Sequence, residues 1–253
     1  MTGLYFSGTG NTKHCVELFL RTVDESALAI PLESAGAAGT VSGQEIIVLA
    51  YPTYYSNIPY IVRDFIRRNG SIWAGKKVFC ITTMGLFSGD GTGCAARLLK
   101  KYGAEILGGL QVKMPDSIGD VKLLKRSKEK NRKIIRAADK KVMKAAEQMK
   151  NGIFCREGLG IFAHIAGFFG QRLWFYSKTK NYTGDLKIGG TCTGCGLCAK
   201  VCPMNNIVVE NGKAKARETC TMCYRCISLC PKQSITLLGK KVVEQHRMEH
   251  YLQ

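Results

Sequence analysis

Acidic residues are scarce in this chain of 253 residues: 19 Asp and Glu stand against 37 Lys and Arg, a formal net charge of +18. The imbalance favours partners of negative charge. Long hydrophobic runs are missing too. The stretch from Leu159 to Gly170 is apolar apart from His164, and its twelve residues are too few to span a bilayer. No charged-then-apolar leader opens the chain, so a reducing compartment, the cytoplasm, is expected. No acid, base and nucleophile stand at a readable spacing. His14 and Asp90 have no evident partner, and each reads as a helix-start residue. No recognition module surrounds the basic segments, which excludes nucleic acid as the expected partner. What is present is a hydrophobic fraction of 45%, enough to bury a core in one large or two modest domains, and twelve cysteines.

Eight of those cysteines form two runs. Cys192, Cys195, Cys198 and Cys202 are followed at once by Pro203, and Cys220, Cys223, Cys226 and Cys230 by Pro231. Both read C-x2-C-x2-C-x3-C-P, an iron–sulfur ligand pattern. The second run repeats the first at a constant offset of 28, which Ile207 and Ile235 also keep, so the segment is an internal duplication. Three cysteines separated by two residues can wrap three irons of one cubane from a tight loop, and the proline stops a helix from running through the last ligand. Gly194 and Gly196 let the backbone come close to inorganic sulfide in the first half; Met222 and Tyr224 stand there in the second. Zinc would use paired CxxC units and leaves two complete four-cysteine runs unexplained. Disulfides would need an oxidising compartment. The stretch resembles the bacterial two-[4Fe–4S] ferredoxins. That resemblance implies that the fourth cysteine of each run serves the other cluster: Cys192, Cys195, Cys198 and Cys230 one [4Fe–4S] cluster, and Cys220, Cys223, Cys226 and Cys202 its twin. Cys15 and Cys80 read as inert core residues, Cys94 as a core residue with a minor redox alternative, and nothing distinguishes Cys155.

At the other end, residues 1–6 read as a short buried strand, followed by Ser7-Gly8-Thr9-Gly10-Asn11-Thr12 and an amphipathic helix to about Arg21. Strand, small-residue loop and helix form an anion site, because free amides, hydroxyls and the helix N-terminus converge there. The loop has no Walker lysine and is not the dinucleotide GxGxxG. It resembles the flavodoxin phosphate loop, S/T-x-T-G-x-T, in which Ser7, Thr9, Gly10 and Thr12 fill every defined position. The resemblance implies FMN.

Further strands are expected over Ala27–Leu32, Glu45–Tyr51, Lys76–Thr83 and Ala104–Lys113, with helices over 59–68 and 92–102 and a loop over 34–43. Their alternation predicts an α/β doubly wound parallel sheet. Loops leave its third and fourth strands at Pro52-Thr53-Tyr54-Tyr55 and at Thr83-Met84-Gly85 through Phe87, Gly89 and Asp90. The flavodoxin resemblance assigns both to the isoalloxazine ring, with Tyr54 or Tyr55 stacked on it. Residues 121–150 carry twelve Lys or Arg and three Asp or Glu, nine of the net positive charges, with a thin apolar face marked by Leu123, Leu124, Ile134, Ile135, Val142 and Met143. The run reads as a solvated face, or as a docking surface for an acidic redox partner.

The expected organisation is a flavodoxin-like FMN domain over 1–150, an apolar and basic linker over 151–184 packing between domains, a small α+β ferredoxin-like domain over 185–238 and a tail over 239–253. Leu173, Trp174, Phe175 and Tyr176 extend the apolar linker; attachment to a membrane surface is its less favoured reading. His164 is expected to be a packed histidine. Asn211-Gly212 predicts a hairpin between 207–209 and 213–216, and residues 242–253 a terminal helix. The whole resembles flavodoxin–ferredoxin fusion proteins, which implies electron transfer between two [4Fe–4S] clusters and FMN, coupling one- and two-electron steps for a partner redox enzyme. The alternative is a flavin-dependent reductase acting on its own small substrate. A homodimer is compatible with either.

Overall fold

In a computed structural model, residues 1–175 and 181–253 are described; Tyr176, the end of the expected apolar stretch, lies outside them. The chain divides into two compact units. The first holds Met1–Ser7, Asn11–Pro115 and Lys133–Thr179; the second holds Gly8–Gly10, Asp116–Arg132 and Lys180–Gln253.

The first unit is built on five parallel strands: β1 (Thr2–Tyr5), β2 (Ala29–Pro31), β3 (Ile46–Pro52), β4 (Lys77–Met84) and β5 (Glu105–Lys113). Their order is β2-β1-β3-β4-β5, so the chain reverses direction across the sheet between β1 and β3. The continuous apolar runs of β3 and β4 are explained by burial: Ile47 to Tyr51 and Val78 to Ile81 are inaccessible to water. Around the sheet run α1 (Asn11–Val23), α2 (Ala37–Ser42), α3 (Tyr60–Arg68) and α4 (Gly91–Lys100). Phe19 of α1 stacks on Phe79 of β4 with centroids 5.1 Å apart. Trp73 is wholly buried and donates its indole N–H to Ile66 O at 3.2 Å, the partner a buried indole requires.

Three expectations need correction. The Gly/Ala/Ser-rich segment 34–43 contains a helix, α2, entered through Gly36 in the left-handed region at φ 85°. Its Ala37 and Val41, one turn apart, are both buried, so two small apolar contacts outweigh poor propensity. In the basic segment, α5 (Lys128–Lys150) buries Ile135, Ala138, Val142, Ala145 and Met149. Alanines complete that stripe, whereas Leu123 and Met143 are exposed; small residues carry the helical period that large ones were expected to mark. The tail is mostly irregular, with only Glu249–Leu252 helical.

In the second unit the duplication is visible in the backbone. Short helices Leu197–Val201 and Arg225–Leu229 keep the 28-residue offset. So do the left-handed residues Gly194 and Met222 (φ 67° and 58°), Gly196 and Tyr224 (φ 76° and 60°), and Asn205 and Gln233 (both φ 49°). Strands β7 (Ile207–Glu210) and β8 (Lys213–Ala216) form the expected hairpin, closed by Asn211 and Gly212 at φ 50° and 71°, the double positive φ of a two-residue turn. Strands β6 (Lys187–Ile188) and β9 (Ile235–Thr236) pair antiparallel beside it. Among the described residues, no helix is long and apolar enough to cross a membrane.

Candidate cofactor sites

None of the twelve cysteines, all of them among the described residues, forms a disulfide. Eight line two cavities in the second unit. Cys192, Cys195, Cys198 and Cys230 surround one, with Leu197, Pro231 and Ile235. Cys220, Cys223, Cys226 and Cys202 surround the other, with Ile227, Pro203 and Leu237. Each cavity thus takes three cysteines from one run and the fourth from the other. Among the described residues, no three His, Cys, Asp or Glu side chains gather as a single-ion site; the sulfurs stand around a space instead. That donor set, apolar walls included, fits a thiolate-bound cubane.

The backbone supports the sulfurs in the same repeated way. Gly194 N and Met222 N donate to Cys192 and Cys220 Sγ at 3.5 and 3.4 Å. Asn206 N and Ser234 N donate to Cys202 and Cys230 Sγ at 3.3 and 3.4 Å. Cys192 accepts a further bond from Ala214 N at 3.5 Å. The Ala214 and Gly194 amides hold the Cys192 thiol below its ordinary pKa. Burial pushes Cys220 up to about 12 and Cys226 higher still. Cys220 and Cys226 therefore resist thiolate formation, and binding a metal there would release protons.

Tyr224 shows how a non-glycine residue holds the left-handed conformation that Gly196 supplies in the first half. Its phenol donates to Asp120 Oδ1 at 3.0 Å. Asp120 Oδ2 also accepts from the amides of Leu237, Leu238 and Gly239 at 2.6, 3.0 and 3.0 Å. A buried carboxylate with four donors is fully satisfied, and here it clamps the loop that carries Cys223 and Cys226.

Of the residues expected at the flavin, those over 52–55 and 83–90 lie at the carboxyl ends of β3 and β4 in the first unit, and Gly8 to Gly10 belong to the second. Thr53 N donates to Thr83 O at 2.8 Å, and Pro52 pairs with Thr83 across β3 and β4. Thr12 and Thr83 share a 2.8 Å hydroxyl bond, and Thr53 and Ser88 one of 2.9 Å. The start of α1 and the loops after β3 and β4 therefore meet at one edge. Asn11 is tied to Pro115 O at 2.7 Å. Tyr55, at φ 49°, stacks on Phe175 with centroids 4.5 Å apart. Met84 and Gly85 follow at the end of β4, and Phe87 is exposed. The hydroxyls of Ser7, Thr9 and Thr12 are buried, and the Gly8 and Thr9 amides have no acceptor among the described residues. The spare Gly8 and Thr9 amides, with the Thr9 hydroxyl beside them, fit an anion such as phosphate. Thr9 bonds Ser117 Oγ at 2.8 Å, and a Cβ on Gly8 would collide with the Cys223 carbonyl, both contacts lying within the second unit.

Asp90 departs from its sequence reading. Far from lacking partners, its carboxylate is 0% exposed and meets Arg97 Nη2 at 2.5 Å, Arg172 Nη1 at 2.6 Å and His164 Nδ1 at 2.7 Å. His164 pairs with this carboxylate, but its side chain is 40% exposed, so it is not the packed histidine expected. His14 also has a partner, Asp139 Oδ1 at 2.7 Å. Cys94 lies against Arg172 Nη1 at 2.8 Å, and burial, ahead of the Asp90 charge, raises its thiol to about 11; Cys15 and Cys80 are buried in the core.

A flavodoxin-domain model matches residues 4–107 and a 4Fe-4S dicluster-domain model residues 185–234. Among solved structures, two-electron reduced Megasphaera elsdenii flavodoxin is 20% identical over 58% of this chain and 99% of its own, with a TM-score of 0.43. Oxidised Flavodoxin 2 from Bacillus cereus is 24% identical over 44% of this chain and 82% of its own, with a TM-score of 0.38. Fusobacterium nucleatum flavodoxin bound to flavin mononucleotide is 13% identical over 60% of this chain and 98% of its own, with a TM-score of 0.43. No curated protein matches the chain. The two matched models, in this order and on this sheet topology, make the chain a flavodoxin domain followed by a 4Fe–4S dicluster domain, the arrangement of a flavodoxin–ferredoxin fusion and, in general terms, of an electron-transfer flavo-iron–sulfur protein.

Proposed function

We propose that the protein carries two [4Fe–4S] clusters and one FMN, and couples one- and two-electron steps for a partner redox enzyme in a reducing compartment. The observation that carries this reading is the pair of four-cysteine cavities, each completed by the opposite run. Bound clusters supply one-electron steps and a bound flavin one- or two-electron steps.

The chain's own part is to hold and tune. The cysteine thiolates ligate iron, and the amides of Gly194, Ala214, Met222, Asn206 and Ser234 point at their sulfurs. Such donors stabilise added negative charge and raise a potential. Cys195 is exposed, while Cys220, Cys223 and Cys226 are buried, so the two sites differ in dielectric and in potential. The hydroxyls of Ser7, Thr9 and Thr12 with the Gly8 and Thr9 amides would hold the FMN phosphate; residues 52–55 and 83–90 would flank the ring.

The basic segment 121–150 supports an acidic partner, whose encounter is faster at low salt. The test is anaerobic purification with iron, sulfide and flavin quantified, followed by a redox titration. Eight irons, eight sulfides and one FMN per chain are expected from this stoichiometry, with three separable redox centres. Zinc in place of iron, or full flavin reduction with clusters that stay oxidised at every potential, overturns the reading.

A further inference from the structure

The segment 161–175 is folded inside out. Helix α6 (Ile161–Gly167) runs into a π-helical turn, Phe168–Arg172. Its polar residues and Gly167 face the protein: His164 and Arg172 bind the buried Asp90, Gln171 Oε1 accepts from Ser56 Oγ at 2.7 Å, and Gly167 is buried. A Cβ on Gly167 would lie 2.5 Å from Asp90 Oδ1, so the helix crosses the carboxylate at close range. The apolar residues are left outside. Ile161, Phe162, Ile165, Phe169, Leu173 and Trp174 are all exposed, Phe162 at 85% and Trp174 at 76%. Positions 162, 165, 169 and 173 form one helical stripe. An ordinary surface helix has the opposite polarity, and the ion cluster on Asp90 prevents this one from rolling over.

Beside the start of α6 lies a cleft of about 330 Å³ lined by Arg97, Lys100, Arg156, His164 and Ile161. No acid lines it. The nearby Glu157 is taken by Lys141 Nζ at 2.8 Å and by Gln111 N at 2.8 Å. Side chains that protrude this far do not form a groove for a peptide. Protruding Phe, Ile, Leu and Trp beside the exposed Lys100 and Arg156 match the boundary of an anionic bilayer, where apolar groups enter the acyl region and cations meet phosphate.

We propose that α6 and the turn after it form a peripheral docking surface for membranes rich in anionic lipid. The stripe inserts; Lys100 and Arg156 attract the headgroups. The test uses the holoprotein and vesicles of phosphatidylcholine with or without phosphatidylserine, read by co-sedimentation under argon. Binding to the anionic vesicles at least about ten-fold tighter than to the neutral ones is expected. Phe162→Ser with Trp174→Ser should lower it roughly ten-fold or more, and Lys100→Glu with Arg156→Glu by a similar factor that shrinks as salt is added. Trp73 is buried, so a blue shift of tryptophan emission on binding reports Trp174 and should vanish in Trp174→Phe while co-sedimentation persists. All four substituted residues are exposed; unchanged circular dichroism and cofactor content show that each variant is folded. The proposal is overturned if neither vesicle type binds, if the Phe162/Trp174 variant binds as well as the parent, or if light scattering shows a dimer that the same variant abolishes, since the stripe would then belong to a second copy.

Discussion

Replacing Asp90 with asparagine isolates the ion cluster from the packing around it. The two side chains are nearly isosteric, so no cavity forms, but the amide carries no charge and presents an N–H2 group toward donors. Arg172, whose side chain is 11% exposed, is left against a neutral group. Removing one member of such a pair costs about 3–5 kcal/mol. Arg97 is 44% exposed and keeps its water, so its loss adds less than about 1 kcal/mol. The remaining amide oxygen still accepts one bond and recovers about 1 kcal/mol. The net destabilisation is about 3–4 kcal/mol, which for a chain of this size lowers Tm by roughly 6–15 °C. Anaerobic thermal denaturation followed by far-UV circular dichroism measures it. Hydrogen exchange adds a location, because the amides of 161–172 should lose protection first. A Tm within about two degrees of the parent, with protection of that segment intact, would refute the claim that this carboxylate fixes α6.

Two other perturbations follow from the same structure. Gly194 and Gly212 both have positive φ, at 67° and 71°, but a Cβ on Gly194 would strike the Gly212 carbonyl while one on Gly212 meets nothing. Gly212→Ala should therefore cost only about 1 kcal/mol of conformational strain and keep full iron, whereas Gly194→Ala should lower the iron bound per chain; equal iron in both variants would contradict this. Cys94, with its pKa near 11 from burial, has a thiolate fraction of about one in a thousand at pH 8. Its alkylation should climb about ten-fold per pH unit up to about pH 10, and a plateau near neutrality, measured by mass spectrometry, would show the thiol to be activated.

The parallel sheet was legible because buried parallel strands write unbroken apolar runs, and β3 and β4 do so. The hairpin was legible because Asn-Gly leaves few other backbone conformations. The two four-cysteine runs were legible through their spacing, whereas the exchange of the fourth cysteine came only from the ferredoxin resemblance. Asp90 was not, since its partners His164 and Arg172 lie 74 and 82 residues away and nothing local pairs them. One signal was available: a single histidine in an otherwise apolar segment, with Arg172 eight residues later, marks a polar face two turns long that needs an acid. The face of α5 was misread because alanines were given no weight, although Ala138, Ala145 and Ala146 are buried.

The crossed fourth cysteines make the two halves of the repeat hostages to one another. Cleaving the chain at the Asn211–Gly212 turn would separate each trio of sulfurs from the residue that finishes its square. Neither fragment would retain all four cysteines of either cavity, so a lesion confined to one copy would leave both cavities incomplete. Met222 and Tyr224 follow the same left-handed path as Gly194 and Gly196, so the two copies share a shape that their residues do not.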